Sequence, residues 1–319
     1  MEKLVSVIVP VYNMADFVEP CVNCLLKQSY TSLEIVIVND GSSDDTAKIC
    51  ESLAQKHPQI SLINQENQGV SMARNNGMKA AKGDYFIFLD ADDTMPEGAV
   101  KALVEAAEAN GADMTMGKIS PNEELPIGSF SGDEFLVKCL EDNPVAYYSV
   151  RTLYKRSFVE DLCFKKGFIC GEDSFFVFEC ALKKPTVVTV DEWVYSYYIH
   201  QNSATHTAFN RKRYDSICGL LDLKEQIVER DFPHLLPIFY HLKTKIQMML
   251  LATLAASKGK ALKAEEKETL SRFNSCKKYY RADLPCSNPA LFNALNKYGY
   301  PAYKALQKLK SLAKRALGR

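Results

Sequence analysis

The sequence lacks the glycine-rich phosphate loops that mark common nucleotide-binding folds. No Gly-x-Gly-x-x-Gly follows its first strand-like run, which removes the cradle a dinucleotide-binding dehydrogenase needs. Gly111 to Lys118 comes near a P-loop but has one residue too many between its glycines, and Ile119 stands where Ser or Thr is required. Long apolar runs are missing as well. The most apolar helical stretch, Met248 to Ala256, is far shorter than a bilayer span. Neither sign of charge is in excess, with 39 Lys+Arg against 39 Asp+Glu, and no basic patch is interleaved with aromatics, so no nucleic-acid partner is expected. Ten cysteines occur without a repeating spacing. Cys21 and Cys24 fall one turn apart on an expected helix, where core packing is a better reading than metal or redox chemistry. Met1-Glu2-Lys3-Leu4 enters a strand at once and leaves no room for a signal peptide, so the expected setting is reducing and cytoplasmic.

What is present is an alternation of strands and helices. Leu4 to Val9 is a β-branched run stopped by Pro10, and a helix follows from Asp16 as N-cap. Leu33 to Val38 is a second apolar strand, followed by a helix over 44–57, a short strand Ile60 to Ile63 and a helix over 70–81. Tyr85 to Leu89 is the next buried strand. Pro96 opens a helix to Asn110 with Gly111 as its stop, and Ala112 to Lys118 is one more strand. Such alternation with short loops predicts an α/β fold with a doubly wound, mostly parallel sheet flanked by helices. It fades after residue 120: Pro121 to Gly132 reads as a loop, a helix opens at Gly171-Glu172-Asp173, and Thr186 to Val190 and Trp193 to Ile199 read as two short strands. From Phe209 the chain reads as helical over 209–230, 234–257 and 263–281, with Pro233, Pro285, Pro289 and Pro301 as breaks. The expected division is 1–205 for the α/β domain and 206–319 for a helical C-terminal domain with a basic tail.

The chemistry sits at strand ends. Gly83-Asp84-Tyr85-Phe86-Ile87-Phe88-Leu89-Asp90-Ala91-Asp92-Asp93 carries a buried strand into three carboxylates within four residues. Pro10-Val11-Tyr12-Asn13 ends the first strand and Asn39-Asp40 the second. In a doubly wound sheet these loops share the edge where ligands bind. An aromatic there can stack on a base, a carboxylate can accept a base N–H or a ribose hydroxyl, and hard oxygens can hold Mg²⁺ or Mn²⁺ on a diphosphate. An acidic surface turn capping the next helix is the plainer reading of Asp90–Asp93 alone, and two acids favouring a helix start is the plainer reading of Glu172-Asp173.

Taken together, the residues resemble a known family. Val5-Ser6-Val7-Ile8-Val9-Pro10-Val11-Tyr12-Asn13, the stretch Glu34 to Thr46, Asn67 to Gly77 with its Arg74-Asn75-Asn76-Gly77, and Gly83 to Asp93 follow in order and resemble the inverting glycosyltransferase family 2, of the kind that builds bacterial surface polysaccharides. The likeness continues more weakly through Leu153-Tyr154-Lys155-Arg156 and Gly171-Glu172-Asp173 to about Thr205, leaving the helical third outside it. The resemblance implies a GT-A fold and transfer from a UDP-sugar to a glycan or lipid-linked glycan, with Mn²⁺ or Mg²⁺ as cofactor. It implies that Pro10 and Tyr12 line the base pocket and that Asp40, with Asn39 beside it, contacts uracil. The family more often has Asp at the position of Asn39, which leaves open which of the two reads the base. Arg74 would reach the diphosphate or donor sugar, and Asp90-Ala91-Asp92 would be the D-x-D motif, with Asp92 on the metal and Asp90 nearer ribose and sugar. Asp173, beside Glu172, would be the general base. Tyr197 to Ser203 resembles the family's loop over the donor, with Tyr198 where an Arg is common and His200 two residues on.

Two other classes share some of these features. A sugar-phosphate nucleotidyltransferase also uses strand-end acids, but would carry a Gly-rich basic loop after the first strand; a non-catalytic sugar-nucleotide-binding scaffold would keep the pocket and lose the base. Trp193 is a core aromatic or an acceptor platform. The tail from Tyr303 to Arg315 sets leucines opposite lysines, which suits either the anionic inner face of the plasma membrane or a solvated helix packed on the domain.

Overall fold

Continuous β-branched runs build the centre of one sheet because strands covered on both faces must be apolar throughout. The computed structural model describes residues 2–141, 143–146, 148–198, 209–257, 262–284 and 288–316. The chain forms two compact units, one of residues 1–139 and 144–201 and the other of 140–143 and 202–319.

The first unit holds an eight-stranded mixed sheet in the order β3-β2-β1-β4-β7-β5-β8-β6 among the described residues, formed by β1 (Val5–Val11), β2 (Leu33–Asp40), β3 (Ile60–Gln65), β4 (Tyr85–Phe88), β5 (Met114–Lys118), β6 (Gly128–Phe130), β7 (Thr152–Lys155) and β8 (Val187–Trp193). Strands β3, β2, β1 and β4 run parallel, and β5 runs parallel to β8; β7 is antiparallel to both its neighbours, and β6 to β8. Helices α1 (Val18–Leu26), α2 (Thr46–Lys56), α3 (Val70–Ala80) and α4 (Ala99–Asn110) connect the first five strands, followed by α5 (Gly132–Leu140), α6 (Arg156–Val159) and α7 (Glu172–Leu182). The chain winds outward from β1 to β3 and returns to place β4 on the other side of β1, so the order reverses between β1 and β4. That reversal is where open α/β sheets bind ligands.

Several boundaries differ from the sequence reading, each for a local reason. β1 does not stop at Pro10 but pairs with β2 through Val11. Ile8 O accepts from Leu89 N on the β4 side, so Pro10, two residues on, turns its missing N–H toward the same side, where β4 has already ended. α1 opens at Val18 rather than after an Asp16 cap, because Met14 O accepts from both Phe17 N and Val18 N. Pro96 precedes α4 by one turn, its carbonyl accepting from Ala99 N. The stretch read as a loop contains β6, an edge strand of only three residues, Gly-Ser-Phe, too short to show an alternation. The two strands expected at 186–190 and 193–199 are one strand, β8, followed by a lone bridge between Ser196 and Thr94. Gly111 is the α4 stop as expected, at φ 60°.

The second unit is helical in its described residues: α8 (Arg211–Asp231), α9 (Leu236–Ala256), α10 (Lys263–Cys276) and α11 (Pro289–Ala316). Pro289 opens α11 instead of breaking a helix, and the break inside α11 falls at Gly299, where φ is 78°, two residues before Pro301. Met248, Leu251, Phe273, Leu291, Leu295 and Tyr303 form one core of this unit, with Leu306 packed against it. The apolar stripe of α11 is therefore engaged in packing through Leu306, and Lys304 pairs with Glu266. The side chains of 308–319, which carry most of the basic tail, lie outside the described residues. No helix among the described residues is long and apolar enough to cross a membrane.

One glycine fixes how α3 lies on the sheet. A Cβ at Gly77 would stand 2.3 Å from Ile8 Cγ2, a methyl of the fully buried β1. Gly77→Ala is expected to lower stability by about 1–3 kcal/mol through overpacking, read as a fall in the urea midpoint. An unchanged midpoint would show that α3 lifts off without cost.

Candidate active site

The loops after β1 and β2 are sewn together by the short polar residues that follow them. Asn13, at φ 52°, gives its N–H to Ser42 Oγ (3.0 Å) and accepts from Ser43 N (2.8 Å). Met14 N donates to Thr46 Oγ1 (2.8 Å), and Ala15 N to Asp44 Oδ2 (3.3 Å). Such side chains satisfy loop backbone that has left the ladder. Tyr12 stands at this edge with 45% of its surface exposed, while Pro10 is buried in β1. Asp40 is 3% exposed; its Oδ1 accepts from Gln65 Nε2 (2.7 Å) and Gln68 N (2.8 Å), and its Oδ2 from Gly69 N (2.8 Å). Asn39 donates to Asn64 Oδ1 (2.9 Å) and accepts from Ser42 N (3.2 Å). The Asn39-Asp40 pair thus anchors the turn into α3 as well as bordering the edge.

Arg74, on the first turns of α3, is 2% exposed and draws three acids together. Its Nη2 donates to Asp90 Oδ1 (2.8 Å), and its Nη1 to Asp173 Oδ1 (2.6 Å) and Glu172 Oε1 (3.3 Å). Asp90 lies 16 residues from Arg74 in sequence and Asp173 lies 99, yet one guanidinium spans both. Its face lies over the Phe164 ring, 5.2 Å from the centroid, and Phe164 stacks on Phe176 at 4.2 Å with Phe88 and Tyr154 edge-on or tilted around them. Asn75 holds Phe164 in place by exchanging two hydrogen bonds with its backbone. This dry aromatic floor strengthens the charge interactions above it. Burial alone would lower the Arg74 pKa, but Asp173, Asp90 and Glu172 together raise it further above its usual value, so it stays charged.

Asp173 has an uneven environment. Oδ1 accepts from Arg74 and from Ser149 Oγ (2.8 Å), whereas Oδ2 accepts no hydrogen bond from the described residues. The side chain keeps 23% of its surface open. Burial pushes its carboxyl up to about 7, with Arg74 opposing and the Glu172 and Asp90 charges adding to the rise. A carboxylate near neutrality with one open oxygen can take a proton at physiological pH.

The Asp90–Asp93 cluster divides by direction. Asp93 N closes a turn onto Asp90 O (3.0 Å) around Ala91 and Asp92. Asp90 is 34% exposed and Asp92 half-buried, but Asp93 is 1% exposed and turned inward, accepting from Tyr195 OH and from Tyr198 N (2.7 Å). Burial pushes the Asp93 carboxyl up to about 7, these two bonds opposing. Among the described residues no group of three His, Cys, Asp or Glu could by itself enclose a metal ion. Asp90 and Asp92 instead offer a half-open pair of hard oxygens, the donor set of a Mg²⁺ or Mn²⁺ shared with phosphate oxygens. Cys21 donates to Asp90 O (3.7 Å) and Cys24 accepts from Met95 N (3.2 Å), so this pair backs the acidic turn as packing. His200 lies outside the described residues. Sequence reasoning missed Ser149, Phe164 and Tyr195, single residues in stretches without a motif, whose roles arise only from contacts across the fold.

Residues 6–132 match the family model Glycosyl transferase family 2. The chain is 33% identical over 223 residues to the uncharacterized glycosyltransferase EpsJ of Bacillus subtilis, covering 66% of this chain and 65% of EpsJ. The match spans 65% of EpsJ and 32% of the glycosyltransferase GlyA of Streptococcus pneumoniae, so the chain covers less than two thirds of the length of these relatives. The fold resembles a 1–349 fragment of S. aureus TarS solved with UDP-GlcNAc, with a TM-score of 0.72 at 18% identity over 97% of this chain and 92% of that one. It also resembles the mannosyltransferase PcManGT of Pyrobaculum calidifontis, solved with GDP-Man and Mn²⁺, with a TM-score of 0.53 at 18% identity over 100% and 88%. The fold is thus of the GT-A kind.

Removing the central cation tests the cluster. Arg74→Met is expected to cost about 3–5 kcal/mol of stability, the range for breaking a buried ion pair by deleting one partner. The loss should be larger at pH 8 than at pH 5, because the abandoned carboxylates are relieved as they protonate. Equal losses at both pH values in urea titrations would contradict the charge-based account.

Proposed function

We propose, from its likeness to glycosyl transferase family 2 over residues 6–132 and from the site geometry, that this chain transfers a sugar, with inversion, from a UDP-sugar to a hydroxyl of a glycan or lipid-linked glycan. The observation that carries this reading is the Asp173 carboxylate, with Oδ1 pinned by Arg74 and Ser149 and Oδ2 taking no hydrogen bond from the described residues, tied through the same guanidinium to Asp90. The names of its relatives support it: EpsJ is a glycosyltransferase, and TarS was solved with UDP-GlcNAc.

In this mechanism the acceptor hydroxyl gives its proton to Asp173 Oδ2 as its oxygen attacks the anomeric carbon from the face opposite UDP. The bond from that carbon to the diphosphate oxygen breaks, and UDP leaves with the electron pair. Tyr12 stacks on uracil with its exposed ring. Asp40 reads the base N–H through the remaining lone pair of Oδ2, since Asn39 is committed to Asn64 and Ser42. Pro10, inside β1, shapes the wall of the pocket rather than touching the base. Asp90 and Asp92 would hold a Mn²⁺ or Mg²⁺, which would supply positive charge to offset the negative charge developing on the leaving diphosphate. Arg74 adds a fixed positive charge beneath the donor and orients Asp173; Glu172 keeps the guanidinium level between the other two acids.

Asp173→Asn is expected to lower turnover by about 10²–10⁴-fold, the usual worth of a general base, while UDP binding by calorimetry is retained. Normal turnover in that variant would remove Asp173 from the role. The pH profile of kcat/KM provides a second check. A base held up to about 7 must be deprotonated to act, so activity should rise with pH through that value. Ser149→Ala removes a hydrogen bond that favours the charged form, so its rising limb should move to higher pH; a limb that stays in place or moves lower would count against this assignment.

A further inference from the structure

A carboxylate buried beside two others is costly, because it loses water and is repelled by its neighbours. Asp93 is in that position, 1% exposed and within three residues of Asp90 and Asp92. What compensates it comes from a single distant segment. Tyr195 OH donates to Oδ2 and Tyr198 N to Oδ1 (2.7 Å), across more than 100 residues of sequence. Thr94, the next residue, exchanges two backbone hydrogen bonds with Ser196 (3.2 and 2.8 Å). The segment is in turn fixed from its other side: Val194 N donates to Lys118 O at the end of β5 (2.9 Å), Val194 fills the space beside Gly117, and Trp193 Nε1 donates to Tyr195 O (2.7 Å). Tyr198 reaches the start of α1, its ring 6.0 Å from that of Phe17.

We propose that Asp93 is a positioning residue that latches the segment Trp193–Tyr198 onto the Asp90–Asp92 turn and thereby sets that turn for catalysis. The Asp93 N–H closes the turn on Asp90 O, so the turn cannot drift without pulling on Tyr195 and Tyr198. The segment carries the position across the sheet from β5 to the end of β4, two strands that are not neighbours in the sheet. Both Asp93 oxygens are engaged and shielded, which separates its role from that of the half-open Asp90 and Asp92. The catalytic half of this proposal rests on the glycosyltransferase reading; the latch itself does not.

The test compares Asp93→Ala, Asp93→Asn and Tyr195→Phe in the full chain, using sugar transfer, its Mn²⁺ dependence and the fluorescence of Trp193, the chain's only tryptophan. Asparagine can still accept from Tyr198 N and can donate to the Tyr195 hydroxyl, so Asp93→Asn should keep most of the turnover with an unchanged Mn²⁺ midpoint. Asp93→Ala should lose about ten- to a hundredfold in kcat, the scale of an ångström misplacement, and make Trp193 more accessible to acrylamide quenching. Asp93→Ala/Tyr195→Phe should be little worse than Asp93→Ala, since both remove one interaction. If Asp93→Asn is as damaging as Asp93→Ala and raises the Mn²⁺ requirement, Asp93 acts as a metal ligand and the proposal is overturned. It is also overturned if Asp93→Ala leaves Trp193 quenching unchanged, or changes quenching without slowing transfer. Should Asp93→Ala fail to fold, Tyr195→Phe decides by the same pair of readouts: unchanged quenching or unchanged turnover overturns the proposal. A wild-type chain that transfers from no nucleotide-sugar refutes the glycosyltransferase reading, and quenching still decides the latch.

Discussion

The buried guanidinium of Arg74 is the interaction on which the candidate site depends. Three carboxylates converge on it from the end of β4 and the start of α7, and without a cation their mutual repulsion and desolvation would drive those elements apart. Burial is what mainly lifts Asp173 out of the ordinary carboxylate range, against the opposing charge of Arg74 and with the Glu172 and Asp90 charges adding to the rise. The aromatic floor of Phe164, Phe176, Phe88 and Tyr154 keeps water from beneath it, so the charges act at close to full strength.

Around that centre the family-like polar residues do two jobs each. Asn13, Asp40, Asp44 and Thr46 border the ligand edge and also carry the hydrogen bonds that leave the ladder unmet where β1 and β2 end. Asn75 and Asn76 behave likewise, one holding the backbone of Phe164 and the other bonding Gln65, which in turn bonds Asp40. Asp93 differs from Asp90 and Asp92 in being almost fully buried, with both oxygens bonded by the 195–198 segment.

The parallel half of the fold was legible because its central strands β1, β2 and β4 are largely apolar runs and its helices carry a 3.6-residue apolar stripe. The other half was less so. β6 and β7 have three and four residues and take their strand character from the neighbours they pair with, so no periodicity announces them. Pro10 misled the reading of β1, since a proline breaks a strand only where its N–H would have met a partner. Of the candidate site, Asp90 and Asp92 stood out as strand-end acids and Arg74 and Asp173 were named through the family resemblance, but neither route gave a hint that Arg74 is buried or that only one oxygen of Asp173 is bonded by the described residues.

By itself the sequence determined the alternation of strands and helices, the acids at the strand ends and the family they resemble, because these are local patterns of polarity and spacing. Only the tertiary structure decided which acid faces outward and which is buried, which oxygen of Asp173 the described residues bond, and that one arginine joins residues 16 and 99 positions away. Those properties depend on distance and solvent access between segments far apart in the chain, and neither quantity exists until the sheet has assembled.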